Sequence, residues 1–230
     1  MYGECMETKE ENVKTHVTLT TAVCVLTLIL STSAQGVVIP LSSHTSDVNV
    51  PASWLDASMK LSVNQAGEDW ELTLAVTNLT PEVEGEDIAF KISELFFSTS
   101  APITNLTLDE VMGGNINNWG LTLDMDNILV GPYGLFDISI ISAGHNVEWI
   151  DPGDTVSFKM TIEGDASSYT DTDFYDLSEW HTDCKWLSYG AAKFWGGGPE
   201  NLSAKGAYVP EPATILLLGL GTLCLLRKRR

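Results

Sequence analysis

The sequence predicts an all-β protein, a two-sheet antiparallel β-sandwich that includes one short helix or capped loop. Three observations predict it: runs of alternating apolar and polar residues, turn residues between those runs, and one stretch near residue 170 without alternation. Period-two alternation is typical of strands that bury one face and leave the other in water. Short strands separated regularly by turns favour a sandwich.

Thr155 to Glu163 shows the strand pattern most clearly, because the apolar residues Val156, Phe158, Met160 and Ile162 alternate with polar ones. Further strands are predicted at residues 59–63, 70–78, 87–97, 103–108, 121–125, 135–141 and 186–194. Residues typical of turns separate these runs at 66–68, 81, 113–114, 131–132 and 151–153.

Ser168 to Trp180 has no alternation. Thr170, Asp171 and Thr172 are suitable helix N-caps, and apolar residues recur after them at helical spacing. We therefore expect a short helix or a capped loop across one end of the sandwich.

Residues 1–34 have the features of an N-terminal signal peptide. Val17 to Leu30 is uncharged and mostly apolar, and Thr32 and Ala34 satisfy the small-residue rule for cleavage after Ala34. The preceding segment is acidic where a positive charge is expected, which leaves open a start codon downstream of Met1. An uncleaved signal anchor is the alternative.

The last residues combine a Pro-Glu-Pro triplet, an apolar run at 213–226 and a basic end. The prolines favour an extended backbone, and the basic residues favour the cytoplasmic side of a membrane. The fourteen-residue run spans about 21 Å as a helix, against a hydrocarbon core of about 30 Å. This transmembrane segment is short for a permanent anchor, and a signal that is used once tolerates such a length better.

This tail resembles the PEP-CTERM sorting signal of bacterial surface proteins, which is also labelled the ice-binding protein C-terminal domain. The residues that carry the resemblance are Val209, Pro210, Glu211, Pro212, Arg227, Lys228, Arg229 and Arg230. It implies a Gram-negative host that makes exopolysaccharide. It also implies a partner, a membrane-embedded exosortase that recognises and processes the tail, and a route from transient membrane attachment to the cell surface. An ordinary tail anchor is the alternative.

The predicted organisation is therefore a signal peptide (1–34), a β-sandwich ectodomain (35–195), a Gly-rich linker (196–209) and the sorting signal (210–230). Residues 35–209 hold six Lys and no Arg against 26 Asp and Glu, a net charge of −20. This charge argues against nucleic-acid binding and against docking on anionic membranes. Cys184 is the one cysteine in this range, so an intramolecular disulfide is excluded there.

Four acidic residues make a candidate Ca²⁺ site: Asp171, Asp173, Asp176 and Glu179. Carboxylates crowded on a loop are hard oxygen ligands of the kind that Ca²⁺ prefers, although their spacing is not that of an EF-hand. A solvated acidic loop explains the same residues. No other cofactor is expected.

Seven tryptophans suggest a second kind of site, because exposed indoles stack on sugar rings. Trp119 and Trp149 lie beside predicted turns, so we expect them to be exposed and name them as candidate glycan contacts. Burial in the core is the alternative, since Trp is highly buried on average.

Motifs of catalysis are absent from the sequence, which has no Gly-x-Ser-x-Gly, HExxH or phosphate-binding glycine loop. We therefore expect a non-catalytic protein of the surface or exopolysaccharide matrix. A carbohydrate-binding module is the second hypothesis. An extracellular hydrolase with a carboxylate pair is the third.

Overall fold

The computed structural model describes residues 36–41, 44–45, 50, 54–81, 89–144, 148–196 and 202–209. The predicted signal peptide and the segment at 210–230, with its predicted transmembrane run, lie outside these residues. Within them, no helix has the length and apolar character needed to cross a bilayer.

The described residues form an antiparallel β-sandwich of two sheets. In chain order its strands are β1 (Val37–Pro40), β2 (His44–Thr45), β3 (Ala57–Ala66), β4 (Asp69–Asn78), β5 (Phe90–Phe97), β6 (Ile103–Met112), β7 (Trp119–Leu129), β8 (Leu135–Ser142), β9 (Thr155–Gly164), β10 (Gly190–Gly196) and β11 (Ser203–Ala207). One sheet has the order β1-β3-β4-β9-β6, and the other has the order β2-β11-β10-β5-β8-β7. The predicted fold class of the ectodomain is confirmed.

Alternating side chains of β4 and β9 build the centre of the core. Leu74 lies opposite Phe158 in the ladder, and Leu72 lies opposite Met160. All four side chains are fully buried between the sheets. Burial of each such side chain stabilises the fold by about 1.5–3 kcal/mol, so the core can hold the domain together without a disulfide.

The prediction of a Gly-rich linker at 196–209 is wrong, because this range contains β11. The strand pairs with β10 on one side and β2 on the other, so the sandwich continues beyond the predicted boundary at residue 195. A Cβ at Gly206 would overlap the carbonyl oxygen of Leu41 and press on the ring of Phe194. Small residues are needed where β11 passes this close to Leu41 and Phe194. A strand made of small residues lacks the β-branched and aromatic side chains from which strands are predicted.

Other strand bounds differ from the prediction. β10 begins at Gly190 rather than Trp186, and β6 and β7 extend several residues beyond their predicted ends. The short strands β1 and β2 were not predicted.

The stretch without alternation forms a short 3₁₀ helix at Asp171–Phe174, as the capped-loop prediction requires. The Asp173 carboxylate accepts hydrogen bonds from the backbone N–H of Thr170, at 2.7 Å, and from its hydroxyl, at 2.9 Å. Phe174 is fully buried, so this helix closes one part of the core.

Asn78, at the end of β4, ties together three parts of the chain. Its Nδ2 donates hydrogen bonds to the carbonyl oxygens of Phe90, at 2.8 Å, and Ile150, at 2.9 Å. Its Oδ1 accepts a hydrogen bond from the backbone N–H of Thr80, at 3.1 Å. Because the side chain is fully buried, these bonds fix the start of β5 and the segment around residue 150 relative to β4.

We predict that Asn78→Ala lowers the free energy of unfolding by about 2–4 kcal/mol, because it leaves buried backbone groups without partners. Urea denaturation measures the change. Asn64→Ala, at an exposed position of β3, is the matched control and should shift the free energy by less than about 0.5 kcal/mol. Equal shifts for the two variants would show that the Asn78 hydrogen bonds do not stabilise this junction.

Candidate functional site

A cleft of about 230 Å³ lies on the outer face of the six-stranded sheet, where β5 and β10 meet the segment before Ile150. On β10, Ala192 and Phe194 point into the core. Lys193 and Trp195 alternate with them and therefore point outward. The cleft is lined by Ser93, Glu94, Ser142, Ala143, Gly144, Trp149, Lys193 and Trp195.

A register shift between β5 and β10 shapes the floor of this cleft. Lys193 lies opposite Glu94, but Phe194 lies opposite Ile92, so Ser93 is an extra residue in β5. Such a bulge re-aims the side chains beside it, and bulges are common next to functional sites. The Ser93 hydroxyl donates a hydrogen bond to the carbonyl oxygen of Lys193 at 3.4 Å, which joins the two strands at the bulge.

The ammonium group of Lys193 is held from two sides. Its Nζ lies 2.6 Å from Oε1 of Glu94 and 4.9 Å from the ring centroid of Trp195. The two charged side chains are only 25% and 20% exposed, so the pair is partly shielded from water. The cation–π contact and the ion pair together hold Lys193 against the indole.

Two indoles form the aromatic part of the cleft. The rings of Trp149 and Trp195 are stacked, with an interplanar angle of 9° and centroids 6.2 Å apart. Ile150, the residue after Trp149, exchanges backbone hydrogen bonds with Ile92 at 3.0 and 2.9 Å. This bridge, together with the Asn78 bond to Ile150, fixes the backbone beside Trp149.

Charges around the cleft are arranged in opposite pairs. Next to the Lys193–Glu94 pair, Lys91 lies 2.7 Å from a carboxylate oxygen of Asp151. Lys205 lies directly across the ladder from Lys193. Burial lowers the pKa of Lys205; the Glu94 carboxylate opposes this shift, and the neighbouring ammonium of Lys193 adds to it. Half of the six lysines of residues 35–209 therefore lie on this face of β5, β10 and β11.

Trp119 does not belong to this cleft, and the expectation that it is exposed is wrong. Its side chain is 5% exposed and packs edge-to-face on Phe158, with centroids 5.0 Å apart. Trp119 begins β7, and its ring points between the two sheets rather than into the adjacent turn. No hydrogen-bond acceptor for its Nε1 lies among the described residues.

The four acidic residues considered for Ca²⁺ are engaged separately. Oδ1 of Asp171 accepts the backbone N–H of Val63 at 2.6 Å, and Oδ1 of Asp176 accepts that of Leu177 at 2.8 Å. Asp173 caps the 3₁₀ helix, and the backbone of Glu179 bridges to Leu135. In the part of the chain that the structure describes, no three His, Cys, Asp or Glu residues gather as metal ligands.

Sequence reasoning missed Trp195, Lys193 and Glu94. The alternation of Lys193 and Trp195 with the buried Phe194 was a usable signal, because it places both side chains on the outer face. The bulge at Ser93 had no signal of its own. Trp180 is the most exposed of the described large hydrophobic residues, at 63%, and lies outside the cleft.

We predict that Ca²⁺ at millimolar concentration leaves the melting temperature unchanged, because the carboxylates of Asp171, Asp173 and Asp176 already accept hydrogen bonds in separate parts of the fold. A Ca²⁺ concentration of a hundred times Kd would stabilise a protein that binds the ion by about 2.7 kcal/mol and raise its melting temperature by several degrees. Differential scanning calorimetry with Ca²⁺ and with EDTA measures this. A rise that EDTA reverses would restore the calcium hypothesis.

Comparisons with known proteins concern the fold and the tail. Three solved structures are similar, each with 12% identity over 67% of this chain. The unique CBM of Ruminiclostridium thermocellum is matched over 99% of its length with a TM-score of 0.31. The biomass-sensing module of the Rsgi2 protein of Clostridium thermocellum, described as resembling the family 3 carbohydrate-binding module of the cellulosome, is matched over 96% with a TM-score of 0.31. A biomass-sensing module from Rsgi-like proteins of the same organism is matched over 98% with a TM-score of 0.30.

These scores are too low to transfer a ligand to this chain. No curated protein matches the sequence. The PEP-CTERM protein-sorting motif matches residues 209–230. Of these residues the structure describes Val209, which is buried. Since the match covers the triplet, the apolar run and the basic end, the chain carries a PEP-CTERM sorting motif.

Proposed function

We propose that this PEP-CTERM protein is a non-catalytic protein of the cell surface or exopolysaccharide matrix, and that it binds a neutral polysaccharide in the cleft of Trp149 and Trp195. The observation that carries the proposal is the pair of stacked indoles beside a hydrogen-bonding ion pair. Sites for small ligands combine aromatic walls with a few fixed polar groups in this way.

The chemistry of the cleft suits a sugar ring. The C–H face of a pyranose is apolar and packs on an indole, while its hydroxyls need donors and acceptors. Glu94 supplies carboxylate oxygens, Lys193 supplies ammonium donors, and Ser142 supplies a hydroxyl oxygen as an acceptor, because its proton is donated to the carbonyl oxygen of Glu148 at 2.6 Å. Because Lys193 is already held by Glu94 and Trp195, little side-chain entropy is lost when a sugar binds.

Charge favours a neutral sugar over an acidic one. The ammonium groups of Lys193 and Lys91 are each paired with a carboxylate at 2.6 and 2.7 Å. The ectodomain as a whole is strongly acidic, with a net charge of −20 over residues 35–209. That field repels polyanions, so a polymer of uronic acids would approach against it.

Hydrolysis is the weaker candidate. A glycosidase needs two carboxyl groups facing the same bond, about 5–9.5 Å apart. Among the residues that line the cleft, the one carboxylate is Glu94, and it is bound to Lys193. A binding site therefore explains the lining better than a catalytic one.

The sorting motif supplies the location for this activity. It implies export and membrane-associated sorting toward the cell surface. We infer that the N-terminal signal directs export, that the C-terminal apolar run holds the protein transiently in the membrane, and that an exosortase then processes the tail. Exopolysaccharide made by the same cell would be the ligand met at that surface.

We predict that Trp149→Ala and Trp195→Ala each weaken binding of a soluble neutral glucan by about 30-fold, since truncation of a Trp anchor costs about 2 kcal/mol. Isothermal titration calorimetry on the full chain measures the affinity, and circular dichroism checks the fold. Trp180→Ala is the matched control, because this exposed indole lies outside the cleft, and it should keep the parent affinity.

Three outcomes would contradict the proposal. Failure of the parent protein to bind any member of a panel of neutral polysaccharides would remove the function. Binding that survives both cleft substitutions would remove the site. Stronger binding of alginate than of neutral glucans would contradict the charge argument.

A further inference from the structure

The sorting motif begins inside the folded domain. The motif match starts at residue 209, and Val209 is only 7% exposed. It packs in a small cluster on the outer face of the six-stranded sheet, together with Phe96, Tyr133 and Ala207. The first residue of the motif is therefore also a residue of the sandwich, and no free spacer separates the two.

Hydrogen bonds of Tyr208 hold the chain on the sheet just before the motif. Its N–H donates to the carbonyl oxygen of Gly190 at 3.1 Å. Its own carbonyl oxygen accepts from the N–H of Tyr189 at 3.2 Å and from the hydroxyl of Ser188 at 2.9 Å. These bonds continue the ladder of β10 and β11 beyond Ala207.

Aromatic stacking adds to this attachment. The ring of Tyr208 stacks on Tyr189 with centroids 5.8 Å apart, and Tyr189 stacks on Tyr175 at 4.1 Å. β11 itself has a neighbouring strand on each side, so it is not an edge that frays readily. Release of Tyr208 and Val209 would therefore break backbone bonds, unstack a ring and expose an apolar side chain.

The docking of Tyr208 and Val209 occupies backbone and side-chain groups just before the triplet. Enzymes and receptors that recognise extended peptides commonly pair with the peptide backbone. Pro210 and Pro212 have no N–H, so the backbone donors within the triplet and on its N-terminal side belong to Glu211, Val209 and Tyr208. The N–H of Tyr208 is already bonded to Gly190, and Val209 is buried against the sheet.

We propose that the docking of Tyr208 and Val209 on the sandwich restrains the sorting enzyme, so that the tail is processed only when these two residues leave the fold. This inference rests on the proposed processing of the tail by an exosortase and is independent of glycan binding. It makes local opening at the end of β11 the step that controls access to Pro210, Glu211 and Pro212.

The direct test is a four-residue Gly-Ser insertion between Tyr208 and Val209, which keeps residues 209–230 intact and frees them from the sandwich. Pulse-chase labelling of the full chain in cells that contain the sorting enzyme measures the processing rate. We expect a several-fold faster rate. The same insertion after Gly67, at a turn where an added Cβ would meet no other atom within 4 Å, is the matched control and should leave the rate unchanged.

A second variant keeps the length of the chain. Ser188→Ala removes the hydroxyl whose single proton is shared between the carbonyl oxygens of Tyr208 and Gly190, so it should speed both hydrogen exchange at the Tyr208 amide and processing. Unchanged or slower processing of the insertion variant would overturn the proposal. Faster exchange at Tyr208 in Ser188→Ala without faster processing would overturn it as well, since opening would then not control access.

Discussion

The pairing of β5 with β10 is the constraint on which the rest of this structure depends. β10 lies between β5 and β11, so this ladder joins the C-terminal strands to the middle of the six-stranded sheet. Its inward residues complete the core. Glu94 lies opposite Lys193, and the register shift that follows at Ser93 sets Trp195 opposite Lys91. Core, cleft and the attachment of the tail therefore all rest on one pair of strands.

Two separate features therefore lie on the outer face of the six-stranded sheet. One part is covered by the small cluster that includes Val209, and the other part carries the cleft of Trp149 and Trp195. Lys193 and Lys205, opposite each other across the ladder, bring like charges together, which is unfavourable between neighbouring strands. Glu94 offsets part of this repulsion by its 2.6 Å contact with Lys193. A sheet face that sets two ammonium groups side by side in an otherwise acidic domain is consistent with a ligand-binding role.

Sequence patterning could predict the strands that carry a strong periodic signal and the sorting tail. β4 and β9 alternate over their whole length, because each buries one face against the core. β11 has the sequence Ser-Ala-Lys-Gly-Ala, whose small residues are required by close packing and look like a linker. Trp119 and Trp149 both border turns, and only the packing on Phe158 decides that one of them is buried. The bulge that builds the cleft depends on register, which is set by pairing between distant strands.

The central claim is that sugar binds at Trp149 and Trp195, and indole N–H signals in a ¹⁵N–¹H spectrum test it most directly. Titration with a neutral oligosaccharide should shift the signals of these two tryptophans. The signals of the buried Trp119 and the exposed Trp180 should stay in place. A spectrum in which Trp180 shifts and the two cleft indoles do not, or in which no indole responds, would contradict the account.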